Sequence, residues 1–312
     1  MPLDVACLGI LVADMVARPV DAIPPAGRLG LVAEMGLHLG GCAGNTAVGL
    51  SRLGVRTGVL GKVGADPLGE FLVTALGREG VDTSGICVDP ASATSATVAL
   101  VAPGGERAFL HALGGNGTLR SEDINLAQLT GTPLLHIGGA GLMPSLDGPP
   151  LAAVCARARA LGMRVSLDTA WDPSGHWDNV LASIPHLDFF LPSIAEAQLI
   201  LGHKSPEAIA DQAMALGARV VVIKMGESGC YVHHRLGAGG TYLPALAMDV
   251  ADTTGAGDAF CAGFLAGCVR GWDVLDCARM GNAVAALSVR AVGAVEGIRS
   301  WDESVALLGA RP

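Results

Sequence analysis

The stretch "DTTGAGDAFCAGFLAG" (252–267) sets two carboxylates, Asp252 and Asp258, around a Gly-Ala-Gly turn and then runs straight into an apolar helix. If residues 255–257 turn into that helix, the N–H groups of Gly255, Ala256 and Gly257 converge on one spot. The helix dipole adds about half a positive charge there, which makes a place for an anion. Asp258 falls in the first turn. Its carboxylate can take a proton from a hydroxyl while the amides hold the oxygens of a phosphoryl group, so that it faces a nucleophile and they face an electrophile. It can equally do no more than stabilise its own helix N-terminus. The run is not a Walker A loop, since no G-x-x-x-x-G-K-[ST] occurs in the chain, and Asp258 and Phe260 break the spacing of a dinucleotide turn. No G-x-S-x-G elbow is present either.

Outward from this motif, strand-like and helix-like runs alternate. "VACLGI" (5–10) reads as a buried strand and "AGNTAVGLSRLG" (43–54) as a helix. "RTGVLGKVG" (56–64) is a strand, and "DPLGEFLVTALGREG" (66–80) is a helix with Asp66 as N-cap, Pro67 at its first position and Gly80 as stop. Two extended runs, "TSATVALVAP" (94–103) and "ERAFLHAL" (106–113), are joined by Gly-Gly and predict a hairpin. Alternation resumes with strand "LLHIGGA" (134–140), helix 149–161, strand "RVSLDTA" (164–170), strand "DFFLPS" (188–193), helix "IAEAQLILG" (194–202), helix 206–217 and strand "RVVVIKMG" (219–226). "GCYVHHR" and "GTYLPAL" form a further antiparallel pair, and helices follow at about 257–270 and 273–291. The pattern predicts an α/β chain with a mostly parallel sheet covered by helices. The hairpin, with the extended segment about 12–40, interrupts the layers and predicts a small lid sheet.

Composition narrows the function. The 312 residues are 51% hydrophobic with a net charge of −9, and no basic stripe marks a nucleic acid or an anionic membrane surface as partner. The eight cysteines form no CxxC pair and predict a reduced, cytoplasmic setting without a disulfide framework. Asp4 and Asp14 interrupt the apolar N-terminus, which reads as a first strand and not as a signal peptide.

In an open α/β sheet, ligands sit at the carboxyl ends of the strands. Two further segments qualify. In "LGGCAGNTAVGL" (39–50), Gly40, Gly41 and Gly44 allow close backbone approach and Asn45 lies in the first helical turn, although the same residues can simply end a strand and cap a helix. In "IKMGESGCYV" (223–232), Gly226 and Gly229 either form a plain hairpin turn or pass close to a nucleotide. His111 and His136 sit in apolar strands and read as structural histidines; Trp171 and Trp177 read as packing residues that could also cover a sugar.

Together these segments resemble the ribokinase-like (PfkB) family of carbohydrate kinases. "GGCAGNTAVGLSRLG" with "GKVGADPLGEFL" resembles the N-terminal signature of that family, and "DTTGAGDAFCAGFLAG" the C-terminal one. The resemblance implies a three-layer α/β sandwich spanning 1–312, with a lid from about 12–40 and 92–115. It implies ATP- and Mg²⁺-dependent phosphorylation of a primary hydroxyl on a sugar-like substrate. Asp258 would be the general base, and Gly255, Ala256 and Gly257 the anion hole. Asp14, Gly41 and Asn45 match hydroxyl-binding positions, while Arg107 and Asn116 fall where lid and loop residues meet substrate. Ser193, Lys224, Gly226, Gly229 and Asn282 match the nucleotide side, and Glu196 the glutamate that acts on Mg²⁺ through water. Many relatives hold a monovalent cation, K⁺, beside the anion hole; Asp252, Thr254, Val289, Val292 and Gly293 match that site.

The sequence departs from the family pattern at Ser193, where Asn is usual, and at Ala170, which replaces the Asn of an Asp-x-Asn-x-Arg segment with no Arg following. The "HIGG" strand ends in glycines without the acidic residue of ribokinase itself. A nucleoside kinase and a non-catalytic sugar-binding regulator of the same fold are the alternatives. An exposed lid edge would seek a partner, which predicts a homodimer.

Overall fold

A computed structural model describes residues 2–234 and 239–309. Strand β1 (Val5–Gly9) shows why the chain folds into layers. Val5 and Cys7 point into one apolar cluster, Ala6 and Leu8 into another. A strand that is buried on both faces has to be apolar at every position, because successive side chains leave on opposite sides. Near the other end of the sheet the sequence "VVVIK" repeats the arrangement, Val220 and Val222 going one way and Val221 and Ile223 the other.

The central sheet has nine strands. Reading from one edge, β5 (Asp82–Asp89), β4 (Thr57–Gly64), β1, β8 (Leu134–Ala140), β9 (Arg164–Thr169), β10 (Phe189–Phe190) and β11 (Val220–Lys224) pair in parallel. Strands β12 (Cys230–His233) and β13 (Thr241–Leu243) complete it antiparallel. Helices α1 (Cys42–Arg52), α2 (Pro67–Arg78), α7 (Ala256–Val269), α8 (Val274–Ser288) and α9 (Trp301–Leu307) cover one face. Helices α4 (Pro149–Ala160), α5 (Ile194–Leu201) and α6 (Pro206–Ala215) cover the other. The result is a three-layer α/β sandwich.

A separate four-stranded sheet, in the order β3 (Glu34–Gly40), β2 (Val12–Arg18), β6 (Ala96–Val101) and β7 (Arg107–Ala112), stands apart from the sandwich. One short turn, α3 (Gly114–Thr118), ties it back: the amide of Asn116 exchanges hydrogen bonds with both backbone groups of Leu11, at 3.1 and 3.0 Å.

Helix α7 is buried at every residue from Asp258 to Cys268. It has no polar face because it lies between two other helices. Its small residues let them close in: a Cβ on Gly263 would sit 2.7 Å from the Met280 carbonyl of α8. Among the described residues no helix is long and apolar enough to cross a membrane.

Several elements differ from the sequence expectation. "DFFLPS" contracts to the two-residue strand β10, since Pro192 cannot donate to a ladder and Ser193 already caps α5. Strand β5 is an addition to that expectation, because "DTSGICVD" at a sheet edge lacks an apolar run. Helix α9 is another, started by a capping box of Ser300 and Glu303. Arg235, the last residue of "GCYVHHR", lies outside the described residues.

Candidate active site

The α7 N-terminus begins at Gly255, which sits at φ 72° in the left-handed region. A Cβ there would also lie 2.5 Å from the Ala294 carbonyl oxygen, so the position tolerates only glycine. The N–H of Ala256 donates to the Thr253 carbonyl at 3.2 Å, which closes the turn. A Cβ on Gly257 would stand 3.2 Å from Lys224 Nζ, so an ammonium lies directly over the helix N-terminus.

Asp258 follows in the first turn and is buried. Asn45, in the first turn of α1, donates its Nδ2 to Asp258 Oδ2 at 2.8 Å. Burial, and then the negative charge of Asp168, lift the Asp258 carboxyl to about 7, against the pull of Asn45 and Lys224. The other amide atom, Asn45 Oδ1, is buried with no hydrogen-bond partner. Gly41 caps α1 at φ 88°, where a Cβ would strike the Ile10 carbonyl at 2.4 Å.

Lys224, at the end of β11, donates Nζ to Asp168 Oδ2 at 2.5 Å, and the Cys261 thiol approaches the same oxygen at 3.3 Å. Burial works to lower the Lys224 pKa, but Asp168 and its other anionic neighbours overcome this and hold it above the ordinary lysine value. Glu196 Oε2 accepts from Ser193 Oγ at 2.6 Å and from Thr169 Oγ1 at 2.7 Å. Burial and the Asp168 charge raise the Glu196 carboxyl above its ordinary value. Asp168, Glu196 and Asp258 thus surround the single ammonium of Lys224. This anionic excess suits a dication that arrives with phosphate oxygens and its own waters, as Mg²⁺ does. Among the described residues no set of three His, Cys, Asp or Glu side chains forms a metal cage unaided.

These groups line a cavity of about 990 Å³. Ser193, Gly226, Gly229 and Asn282, which the resemblance assigns to the nucleotide side, also line it, and so does Val289, which the resemblance assigns to the cation. Leu246, Met248 and Phe260 form an apolar wall that the sequence did not single out. Asn282 donates to the Pro244 carbonyl at 3.0 Å and so anchors the segment carrying that wall.

The residues expected around a monovalent cation are arranged differently. Asp252 accepts from Thr254 N at 2.6 Å and from Gly293 N at 2.9 Å. The Arg107 guanidinium, reaching over from β7, pairs with the Asp252 carboxylate and with the Thr254 hydroxyl. The Val289 carbonyl is taken by the N–H groups of Ala251 and Asp252, and Val292 is exposed. Arg107 therefore meets the loop that leads into α7, where the sequence had pointed it at substrate. Asn116 is likewise corrected: its amide is spent on Leu11 and it is fully buried. Asp14 lies in the small sheet next to Gly40, where a Cβ would overlap its carboxylate.

His136 is fully buried, shares a hydrogen bond with Ser166 Oγ at 3.1 Å, and is held neutral by burial, with its pKa down to about 3. Trp177 is buried; Trp171 stands exposed, edge-on to it at 5.4 Å. Asp168 and Cys261 were not singled out from sequence. The signal for Asp168 was its place at the carboxyl end of a buried strand, opposite the helix carrying Asp258.

The profile of the pfkB family carbohydrate kinases matches residues 2–301. A 2-dehydro-3-deoxygluconokinase of Bacillus subtilis is 32% identical over 91% of this chain and 91% of its own. A fructokinase of Klebsiella pneumoniae is 31% identical over 73% of this chain and 76% of its own. The solved structure of a putative ribokinase II from E. coli with ATP and Mg²⁺ superposes at a TM-score of 0.85, with 23% identity, over 98% of this chain and 99% of that one. The chain belongs to the pfkB family of carbohydrate kinases and is a phosphotransferase with an alcohol acceptor.

Proposed function

We propose that this kinase moves the terminal phosphoryl group of ATP to a primary hydroxyl of a sugar-like acceptor, with Asp258 as general base. The observation that carries the reading is the meeting of α1 and α7. Asn45 fixes the Asp258 carboxylate with its donor and keeps a buried, unpartnered acceptor beside it. A polyol answers both: one hydroxyl gives its proton to Asp258 and a neighbouring one donates to Asn45 Oδ1. A carboxyl that titrates near 7 is ionised for half its population at neutral pH and still basic enough to receive the proton.

The acceptor oxygen then attacks the γ-phosphorus as the bond to the ADP oxygen breaks. The amides of Gly255 and Gly257 take the phosphoryl oxygens, the Ala256 amide being already bonded to Thr253. Lys224 sits over the same spot and adds a positive charge. Mg²⁺, held by the ATP phosphates and by Glu196 through water, would supply further neutralisation of charge. The apolar wall of Leu246, Met248 and Phe260 suits the adenine.

Incubation with ATP, Mg²⁺ and a panel of aldoses, ketoses, sugar acids, cyclitols and nucleosides tests the reading. Phosphorylated product and ADP are expected for a sugar-like acceptor. Asp258→Asn should lower kcat about 10²–10⁴-fold and leave ATP binding intact. Near-normal turnover of the variant would remove Asp258 from the mechanism. Phosphorylation confined to nucleosides would make the protein a nucleoside kinase, and binding without transfer across the panel a regulator.

We also infer a homodimer through the small sheet. On its face away from the anion hole, Leu37, Met15, Val98 and Leu110 lie in register across all four strands, and Val98 and Leu110 are exposed. Sedimentation as a monomer alone would reject this arrangement.

A further inference from the structure

The first turn of α1 brings a second side chain to Asp258. Cys42 opens the helix and lies three residues before Asn45, so the two share the face that meets α7. The turn has no room to shift. A Cβ on Gly41 would strike the Ile10 carbonyl, and on β8 a Cβ at Gly138 would stand 2.7 Å from Ala43 N and 2.9 Å from the Cys42 carbonyl carbon. The thiol of Cys42, a partly buried residue, is thereby set within hydrogen-bond reach of the Asp258 carboxylate. The same face presents Asn45 Oδ1, buried and without a partner, to the place of an acceptor hydroxyl.

Titratable groups face Asp258 from every side: Asp168 from β9, Lys224 from β11, the Cys261 thiol one turn along α7, and Cys42 from α1. A thiol at a helix N-terminus is usually acidified. Here the reverse holds. Burial, and then the charges of Asp258 and Asp168, push the Cys42 thiol well above its ordinary value, with Lys224 opposing them only in part. Cys42 therefore keeps its proton throughout the range in which Asp258 titrates. It is an uncharged donor, and a weak one.

Resting on the phosphoryl-transfer reading above, we propose that Cys42 is a positioning residue: its neutral S–H donates to the Asp258 carboxylate, orients it toward the acceptor hydroxyl beside Asn45, and governs its basicity. Asn45 Nδ2 already occupies Oδ2. A second strong donor would hold the carboxylate equally well but make it a poorer base, since hydrogen bonds to the charged form stabilise that form. The thiol orients the group with less loss of basicity, and it yields readily when the acceptor hydroxyl arrives.

The test compares Cys42→Ser and Cys42→Ala in the full-length protein, each checked for an unchanged melting temperature. The Ser hydroxyl is the stronger donor, so the acidic limb of kcat/KM should move down by roughly half a unit; Ala supplies no donor, and the limb should move up by about as much. A limb that stays in place in both variants, or moves the same way in both, overturns the proposal and leaves the kinase reading standing. The S–H stretching band gives a readout that needs no turnover. Isolated as the infrared difference between wild type and Cys42→Ala, it should lie at lower frequency than in the same difference taken with Asp258→Ala present. It should also rise in frequency as pH falls through about 7, where Asp258 takes up its proton. A band at one frequency in both backgrounds overturns the proposal whatever the activity. A lowered band in a protein that releases no ADP with any acceptor upholds the pairing and rejects the kinase reading instead.

Discussion

The carboxyl edge of the central sheet and the inner face of the small sheet meet at the 252–254 loop, where Arg107 reaches across, and they are built by opposite rules. At the edge, Asp168, Glu196 and Asp258 are buried and each is held by a neighbour: Asp168 by the nearly buried Lys224, Glu196 by Thr169 and Asp258 by Asn45. On the small sheet, His38, Phe109 and His111 stand exposed on a face only four strands wide. Burial at the edge makes each charge felt by its neighbours and pushes Asp258 to a pKa useful for proton transfer before any ligand arrives. Exposure on the small sheet leaves its polar side chains screened by water, so the electrostatic coupling is concentrated at the edge.

The strongest way to break that contrast is to remove one charge from the edge. Asp258 must be ionised to take a proton, so kcat/KM should fall as pH drops below about 7, the value at which its carboxyl titrates. Asp168→Asn removes the like charge that is the second cause of the elevation and releases Lys224 to act on Asp258 more strongly; both changes favour the carboxylate. The acidic limb of the pH profile should therefore move down by about one unit, an approximately tenfold gain in relative activity on the acid side. An acidic limb that stays in place would show that Asp258 does not feel its neighbour and that the edge is not an electrostatic unit.

How much of this was legible in the sequence also divides along the two regions. The edge was legible because its physics is local: "TGAGDAF" contains its own turn, helix start and carboxylate, and "VVVIK" announces a strand buried on both faces. Asp258 could be singled out from its own motif, whereas Lys224, Glu196 and Asn282 entered only through the family resemblance. Asp168 could not, because its importance comes from Lys224, 56 residues away, and no local pattern encodes that pairing. The small sheet was legible only in outline. The Gly-Gly hairpin marked two of its strands, but the alignment of His38, Asp14, Thr97 and His111 across all four depends on the register of three separate pairings, and register is settled by packing between strands and not within them. Arg107 and Asn116 were misplaced for the same reason: the partners that claim them, Asp252 and Leu11, lie 145 and 105 residues away.

Among the described residues, Arg107 is the side chain that joins the two regions through an ion pair, and it offers the finer test. Its side chain is mostly buried against Asp252, which keeps two N–H donors, from Thr254 and Gly293, whether or not the guanidinium is there. Arg107→Ala should therefore leave the turn folded while stripping its carboxylate of positive charge. A partly buried pair of this kind contributes about 1 kcal/mol, so kcat/KM should drop about fivefold. The vacated space lies between Asp252 and the Thr254 hydroxyl, two hard oxygen ligands, and a monovalent cation can enter it once the guanidinium is gone. Wild-type turnover should then be indifferent to exchange of Na⁺ for K⁺, whereas the variant should be restored by K⁺ and not by tetramethylammonium, which is too large for the gap. Equal stimulation of both proteins by K⁺ would mean that the guanidinium and the cation do not compete. The small sheet would then be tied to the loop before α7 by some contact other than this one.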